Sequence, residues 1–313
     1  NESATTELYT LSLHDALPIC EKAFAEYHGK RHAVMVNSGS SANLVAVASL
    51  THKKDRPLER GDEVIVPAVS WATTYHPLQQ YGLKLRFVDI ELATLNIDTS
   101  RLEAALSPKT KAIVAVSILG NPAALDVVRA FADEHGLYFL EDNCESLDAE
   151  LPGESGGRKT GTFGDIATFS FFFSHHISTG EGGMVVTDDD ELNGLALDIR
   201  GHGWIKDVPE DSTLFEADED SFAEAYRFVI PGYNVRPQEI NAAVGLEQLK
   251  KLPGFTEQRR ANLKLFQRLF GGDERFIIPR ENGKSSSFCF PMIVSPEAGF
   301  DRLDVFGPLK DAG

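Results

Sequence analysis

The chain has 313 residues and a formal net charge of -17, with 42% hydrophobic and 9% aromatic residues. This length and composition indicate a globular protein with a large core, arranged as one big domain and a smaller one. The negative charge argues against nucleic acid or an anionic membrane as partner, although backbone amides can still bind a phosphorylated ligand.

The cysteines and the hydropathy pattern set the expected compartment. Cys20, Cys144 and Cys289 are the only three cysteines and lack the spacing of a metal site, which suits a reducing cytoplasm. No run of 18 apolar residues predicts a transmembrane helix. We therefore expect a cytoplasmic protein that binds no metal, no membrane and no nucleic acid.

The two ends of the chain differ from the rest. Leu8–Ile19 reads LYTLSLHDALPI, which resembles a translated sequencing adapter, so residues 1–19 are expected to be a non-native leader rather than a signal peptide. Residues 20–249 are predicted as the large domain, and residues 250–313 as a linking helix with part of a C-terminal small domain. A helical pattern begins near Asp301 just before the chain stops, so the small domain is expected to be cut short.

From Cys20 onward, helical and strand patterns alternate. The predicted helices are Glu21–Tyr27, Ser41–Leu50, Trp71–Gln80, Thr99–Leu106, Ala123–His135, Pro237–Leu249 and Gly254–Phe270. The predicted strands are Ala33–Val36, Val64–Pro67, Lys84–Val88, Lys111–Ile118, Leu137–Leu140 and an apolar run from Phe169 that ends in His175 and His176. This order predicts a mostly parallel sheet with helices on both faces and ligands at the carboxyl ends of the strands.

The first segment suited to chemistry, Asn37–Leu44, reads NSGSSANL and joins a strand to a helix. Gly39 allows a tight turn, and the amides and hydroxyls of Ser40 and Ser41 would point at a bound anion. The alternative is a serine-rich helix cap without a ligand.

Three more segments follow strands or precede a helix. The run Glu141–Glu145 puts acidic residues at a strand end, where a carboxylate could hold a protonated ring nitrogen or merely cap a helix. Trp71 in the segment VSWATT could stack on a planar cofactor, although core packing is the commoner role of an isolated tryptophan. Asn234, within PGYNVR before a helix, could reach a ligand or a partner subunit.

Together these motifs resemble the DegT/DnrJ/EryC1/StrS family of sugar aminotransferases. The resemblance covers about Cys20 to Leu252, with NSGSSANL, SWATT, LEDNCESLDA, the stretch FSFFFSHHISTGEGG and PGYNVRPQEINAAVGLEQL in the family's order. It implies a fold-type-I pyridoxal-phosphate transferase, with a three-layer α/β/α large domain, a mostly parallel sheet and a truncated small α+β domain. It also implies a homodimer with both active sites at the subunit interface.

The chain departs from the family at one position. Ordinary members read SFxxxKxLxxGEGG, and the register of Ser170 and of the GEGG turn puts His175 where their lysine stands. An imidazole cannot bond covalently to the cofactor aldehyde, but it can transfer a proton near neutral pH. The substitution resembles the sugar 3-dehydratase branch, which implies non-covalent pyridoxal 5'-phosphate and pyridoxamine 5'-phosphate.

The resemblance further implies a reaction and residue roles. The expected reaction is 3-dehydration of a nucleotide-linked 4-keto-6-deoxyhexose, with GDP-4-keto-6-deoxymannose as expected substrate and glutamate as amine donor, in dideoxysugar and O-antigen biosynthesis. His175 would be the base, and His176 a supporting residue. The residues implied at the cofactor are Asp142 at the ring nitrogen, Trp71 on the ring face, Glu145 beside the ring hydroxyl, Ser40, Ser41 and Ser170 at the phosphate, and Asn234 from the other subunit.

Several alternatives remain open at this point. The CDP-sugar 3-dehydrases share the histidine but carry an iron–sulfur cluster, which needs about four thiolates that three scattered cysteines cannot supply. An aminotransferase that uses Lys159 is disfavoured because this residue lies outside the motif. A cofactor-binding sensor or partner subunit, and an inactive fragment, are the other two alternatives.

Overall fold

The computed structural model describes residues 16–153, 157–205, 215 and 220–312. Its helices are α1 (Ala16–His28), α2 (Gly39–Thr51), α3 (Ala72–Gln80), α4 (Leu102–Ala105), α5 (Leu125–His135), α6 (Asp190–Arg200), α7 (Ser221–Ala225), α8 (Glu239–Phe270) and α9 (Arg302–Ala312). Its strands are β1 (His32–Val36), β2 (Glu63–Pro67), β3 (Lys84–Val88), β4 (Thr110–Val116), β5 (Tyr138–Asp142), β6 (Glu150–Leu151), β7 (Arg158–Lys159), β8 (Ile166–Ser170), β9 (Gly183–Thr187), β10 (Phe276–Ile277) and β11 (Ile293–Val294).

Seven strands form one central sheet in the order β1-β9-β8-β5-β4-β2-β3. The pairs β2–β3, β2–β4, β4–β5 and β5–β8 are parallel, whereas β9 is antiparallel to both of its neighbours. The parallel strands therefore end at one edge of the sheet, where ligands bind in folds of this kind.

Helices cover both faces of the sheet because successive strand residues point to opposite sides. On β2, Val64 and Val66 pack in the core formed with α2, α3 and α6, whereas Ile65 packs in the core formed with α4 and α5. A third cluster lies between the sheet and the pair α1 and α8. The predicted α/β architecture with a mostly parallel sheet between helical layers is confirmed.

The strand that was expected to reach His175 is shorter than the prediction. β8 ends at Ser170, and the next residues form a turn in which the His175 amide donates to the Phe172 carbonyl at 2.9 Å. Phe171 follows the end of the strand but is still buried in the core. The apolar sequence pattern is therefore longer than the strand itself. The histidines therefore lie on the turn between β8 and β9.

The predicted break between two C-terminal helices is absent. α8 runs for 32 residues through Pro253 and Gly254, although an internal proline removes one backbone donor. Leu252 and Thr256 are almost fully buried on either side of this point, so packing keeps the helix continuous. The predicted domain boundary at residue 249 falls inside this helix and stays a prediction.

Helix α1 is tied firmly to the rest of the fold. The partly buried Glu21 carboxylate accepts from the Met35 amide at 2.7 Å and from Arg200 at 2.6 Å, and Glu239 on α8 accepts from the Leu17 amide at 2.9 Å. Residues 16–19 of the predicted leader form the first turn of this helix, and Ala16 is buried. Residues 1–15 lie outside the described part of the chain, and the origin of the leader stays a prediction.

No helix within the described ranges combines the length and the apolar composition that a membrane span requires.

Two buried histidines predict a stability that depends on pH. Burial lowers the pKa of His28 to about 3 and that of His176 to about 3, against about 6.5 in an unfolded chain. Below pH 6.5 both imidazoles become protonated in the unfolded state but stay neutral in the folded state. The free energy of unfolding therefore falls as the pH falls towards 3. Each of the two histidines should lower the free energy of unfolding by about 2 kcal/mol at pH 5 relative to pH 7.

The variant His28→Leu should remove its share of this loss. Neither ring nitrogen of His28 has a hydrogen-bond partner among the described residues, so an apolar replacement leaves no polar group unpaired. Urea unfolding at pH 7 and pH 5 should give His28→Leu a smaller difference than the wild type, whereas the exposed control His76→Gln should match the wild type. Buried carboxylates such as Glu141, whose pKa is raised by burial, are common to all three proteins and cancel in the comparison.

Candidate active site

A cavity of about 440 Å³ lies at the edge where the parallel strands end. Six of the eight residues predicted for the site line it, namely Ser40, Trp71, Asp142, Glu145, Ser170 and His175. Ser41 and Asn234 are not among the residues that line the cavity. Sequence positions more than a hundred residues apart therefore converge here because consecutive parallel strands deliver them to one edge.

Asp142 ends β5 and is held by a buried polar network. Its Oδ2 accepts from Asn43 Nδ2 at 2.8 Å and from Thr74 Oγ1 at 2.7 Å, and its Oδ1 accepts from the Cys144 amide at 3.2 Å. Thr168 on β8 in turn donates to Asn43 Oδ1 at 2.7 Å. Because Asp142 is only 4% exposed and still lines the cavity, its carboxylate presents a fixed negative charge to a ligand.

The neighbouring Glu141 has a different task. Its carboxylate is fully buried and accepts from the backbone amides of Gly161, Phe163 and Gly164. These bonds fix the loop before β8, so the alternative of a structural carboxylate applies to Glu141. Asp142 is the acidic residue of this segment that faces the cavity.

The N-terminus of α2 forms part of the cavity wall beside Asp142. Ser38 is the N-cap, and its Oγ accepts from the Ser41 amide at 3.1 Å, while Ser41 Oγ donates to Asn37 Oδ1 at 2.6 Å. Ser41 thus takes part in the helix cap, whereas Ser40 lines the cavity and donates to Thr73 Oγ1 at 3.1 Å. The N-terminus of a 13-residue helix and its hydroxyls favour an anion at this point.

Gly39 brings this helix against β8. A Cβ atom at Gly39 would lie 2.5 Å from Ser170 Cβ and 3.0 Å from Cys144 Sγ, so a larger residue would push the helix away. Only glycine lets the Ser170 hydroxyl and the helix N-terminus share one wall of the cavity.

Trp71 and Glu145 line other parts of the cavity. Trp71 immediately precedes α3, makes no side-chain cap bond and is 73% exposed, so it is not a core residue. Its indole face is free to stack on a planar ring. Glu145 Oε2 accepts from the Leu119 amide at 2.7 Å, and burial raises the pKa of its carboxyl group.

His175 is half-buried in the cavity wall, and one hydrogen bond fixes its tautomer. Its Nδ1 lies 2.6 Å from the Cys144 carbonyl, which can only accept, so Nδ1 carries the proton. In the neutral ring Nε2 is then unprotonated and able to take a proton. Burial lowers the pKa of His175, which favours the neutral form at physiological pH.

His176 is not among the residues that line that cavity. It is 3% exposed, and its Nε2 donates to the Ser286 carbonyl at 3.2 Å. This bond connects the turn after β8 to the segment that follows α8, and the supporting role of His176 stays a prediction.

The residues of the cavity fit the expected cofactor. The helix N-terminus with Ser40 and Ser170 suits a phosphate, and the buried Asp142 carboxylate suits a protonated ring nitrogen. No lysine is found among the described residues that line this cavity, and Lys159 is instead paired with Asp148 at 2.9 Å. The donor set therefore suits a cofactor that is held without a covalent bond.

Three residues of the site have no role that their sequence motifs predict. Asn43 and Thr74 lie inside motifs of the sequence, yet nothing in the motifs shows that both bind Asp142. Phe288, which also lines the cavity, comes from the segment after α8 and carries no sequence signal. Within the described ranges, no group of histidine, cysteine and carboxylate side chains has the arrangement of a metal site.

Comparison with known proteins extends over nearly the whole chain. A model of the DegT/DnrJ/EryC1/StrS aminotransferase family matches residues 14–313. Over 294 residues the chain is 50% identical to a GDP-4-keto-6-deoxy-D-mannose 3-dehydratase of Yersinia pseudotuberculosis, which covers 94% of this chain and 74% of that protein. Identity to the enzyme of the same name from Escherichia coli O55:H7 is 46% over 294 residues, with coverage of 94% and 75%.

A solved structure shows the same likeness in three dimensions. The crystal structure of a GDP-4-keto-6-deoxymannose-3-dehydratase with a trapped PLP-glutamate geminal diamine matches with a TM-score of 0.91 at 45% identity. The match covers 95% of this chain and 76% of that one. All strands of the central sheet and every residue that lines the cavity lie within the family match.

Proposed function

This chain belongs to the DegT/DnrJ/EryC1/StrS aminotransferase family, and we propose that it is a pyridoxamine-phosphate-dependent 3-dehydratase of GDP-4-keto-6-deoxymannose. The observation that carries the proposal is the hydrogen bond between His175 Nδ1 and the Cys144 carbonyl, which leaves Nε2 as the basic nitrogen of the neutral ring, in a cavity whose described lining contains no lysine. Two relatives with this activity in their names are 50% and 46% identical. The PLP-glutamate adduct in the related crystal structure supports glutamate as the amine donor.

The chemistry divides between the cofactor and the chain. The bound cofactor supplies an amine that condenses with the 4-keto group of the sugar and a pyridinium ring that takes up electrons. Nε2 of His175 removes a proton from the cofactor's aminomethyl carbon. The protonated imidazole of His175 then donates this proton to the departing 3-hydroxyl group. Overall, the sugar and glutamate become the 4-keto-3,6-dideoxy sugar, 2-oxoglutarate and ammonia.

The other cavity residues hold and orient the cofactor. Asp142, fixed by Asn43 and Thr74, keeps the ring nitrogen protonated, and Trp71 covers one ring face. Ser40 and Ser170 bind the phosphate, with Ser41 supporting the same helix N-terminus through its cap bonds. Glu145 lies beside the ring hydroxyl, where the raised pKa of its carboxyl group suits a short hydrogen bond.

A homodimer with shared active sites is part of the proposal. Asn234 is paired through its backbone with Gly201 and lies outside its own chain's cavity, so we assign it to the partner's phosphate site. Exposed apolar residues near the cavity and on α8 suit a subunit interface, namely Phe173 (70% exposed), Ile240 and Val244.

The expected organisation and location of the chain also belong to the proposal. We retain a large domain of residues 20–249, followed by a linking helix and small-domain segment in residues 250–313. A cytoplasmic location accords with three cysteines that are all free thiols in the structure.

A glutamate half-reaction tests the proposed function. Purified protein loaded with pyridoxal phosphate should lose its aldehyde absorbance on addition of glutamate and release one equivalent of 2-oxoglutarate. Subsequent GDP-4-keto-6-deoxymannose should restore the aldehyde absorbance and give ammonia and the 3-deoxy sugar. A protein that binds cofactor but forms no 2-oxoglutarate would instead be a sensor or an inactive fragment, and an aminated sugar product would indicate an aminotransferase.

A further inference from the structure

The aromatic ring of Phe288 covers the imidazole of the proposed base. The centroids of the Phe288 and His175 rings are 5.0 Å apart, and both residues line the cofactor cavity. Both also line a second cavity of about 500 Å³, whose wall includes Arg259 and Phe290. His175 and Phe288 therefore form the partition between the two cavities.

The backbone around Phe288 is hydrogen-bonded to the turn that follows β4. The Phe288 amide donates to the Leu119 carbonyl at 2.9 Å, and the Ser286 amide donates to the Gly120 carbonyl at 3.0 Å. A Cβ atom at Gly120 would lie 2.7 Å from the Ser287 nitrogen, so glycine is required for this approach. Ser287 itself adopts a left-handed φ of 37°, which directs the next residue inward.

Two side chains hold the same segment from the other side. His176 donates to the Ser286 carbonyl at 3.2 Å, and Arg259 on α8 donates to the Ser287 carbonyl at 2.9 Å. The two adjacent histidines thus have separate roles. His175 lines the cofactor cavity, and His176 holds the segment that contains Phe288.

Charged groups around His175 shift its pKa in both directions. Asp142 on β5 raises the pKa of His175, whereas Arg259 on α8 lowers it, and burial is the largest cause of the net lowering. Glu145 and Glu181 also line the cavity. Phe288 contributes no charge, so its effect on the imidazole is to exclude water.

We propose that Phe288 is a positioning residue for His175, whose imidazole it shields from solvent and holds in the orientation set by the Cys144 carbonyl. The proposal rests on the assignment of His175 as the base. It predicts that opening this cover admits water to the imidazole and stabilises its protonated form.

Proton NMR titration of the histidine rings tests the cover without any turnover. The chain has nine histidines, and the signal that disappears in His175→Asn identifies His175. In Phe288→Ala the pKa of His175 should rise, and in Phe288→Leu, which keeps an apolar cover, it should rise less. The matched control is Phe290→Ala, because Phe290 lines the second cavity and stacks on Phe266 but does not line the cofactor cavity.

Steady-state kinetics should show the same change. For Phe288→Ala the acidic limb of the pH profile of kcat should move to higher pH. At pH 6 kcat should fall by roughly tenfold, which is part of the factor of about 10²–10⁴ that general acid–base catalysis contributes to the rate. The loss should be smaller at pH 8.5, and KM should change little. An unchanged pKa of His175 in folded Phe288→Ala, or an equal change in Phe290→Ala, would overturn the inference.

The two proposals fail in different ways. If the wild type has no dehydratase activity but the NMR shift follows the substitutions at Phe288, the cover stands and the proposed function is wrong. If dehydration occurs but the titration of His175 ignores Phe288, the proposed function stands and the cover is wrong. Thermal unfolding of each variant at pH 7 confirms that the comparisons concern folded protein.

Discussion

His175→Lys should bind the cofactor covalently and lose dehydratase activity. A lysine amine at this position can bond to the cofactor aldehyde, which the wild-type imidazole cannot do, and a new visible absorbance band would report the bond. The turn after β8 presents residue 175 to the cavity, so the amine should reach the site occupied by the lysine of ordinary family members. Loss of the base should lower the dehydration rate by about 10²–10⁴.

The variant His175→Asn separates the two effects. It removes the base without supplying an amine, so it should bind the cofactor reversibly, show no new band and lose dehydration to a similar extent. Dialysis followed by an absorbance spectrum distinguishes covalent from reversible binding. Full dehydratase activity in either variant would refute the assignment of His175 as the base.

The motifs predicted the central part of the site because each lies where a parallel strand ends. Asp142, Ser170 and the Gly39 turn follow or end β5, β8 and β1, so the topology alone brings them together. The position of His175 was predicted from its register with the GEGG turn, although the strand ends five residues earlier. A register between two fixed motifs is independent of how far the strand extends.

The rest of the site depends on packing that no local pattern encodes. Phe288 reaches the cavity because Gly120 and Arg259 fix the backbone beside it, and these residues are 168 and 29 positions away in the sequence. The continuity of α8 through Pro253 likewise depends on the burial of Leu252 and Thr256. Local propensity favours a break there, and tertiary contacts outweigh it.

Asp142→Asn should weaken cofactor binding and slow the reaction severely. The carboxylate is the only charged partner proposed for the ring nitrogen, and an amide can neither stabilise a pyridinium nor accept at both oxygens from Asn43, Thr74 and the Cys144 amide. Loss of a buried charge-assisted hydrogen bond costs about 1.5–3 kcal/mol, or roughly ten- to a hundredfold in affinity. The cofactor dissociation constant, measured by fluorescence quenching, and the rate of the glutamate half-reaction should both show this loss.

Glu141→Gln is the matched control, because the two carboxylates are adjacent on β5 but only Asp142 lines the cavity. Glu141 accepts from the amides of the loop at residues 161–164, so its replacement should lower the free energy of unfolding while the folded protein retains its cofactor affinity. Asp142→Asn should instead affect cofactor binding and turnover more than the free energy of unfolding. Equal losses of affinity in the two variants would mean that the strand end acts through stability alone, and unchanged turnover in Asp142→Asn would mean that Asp142 does not face the ring nitrogen.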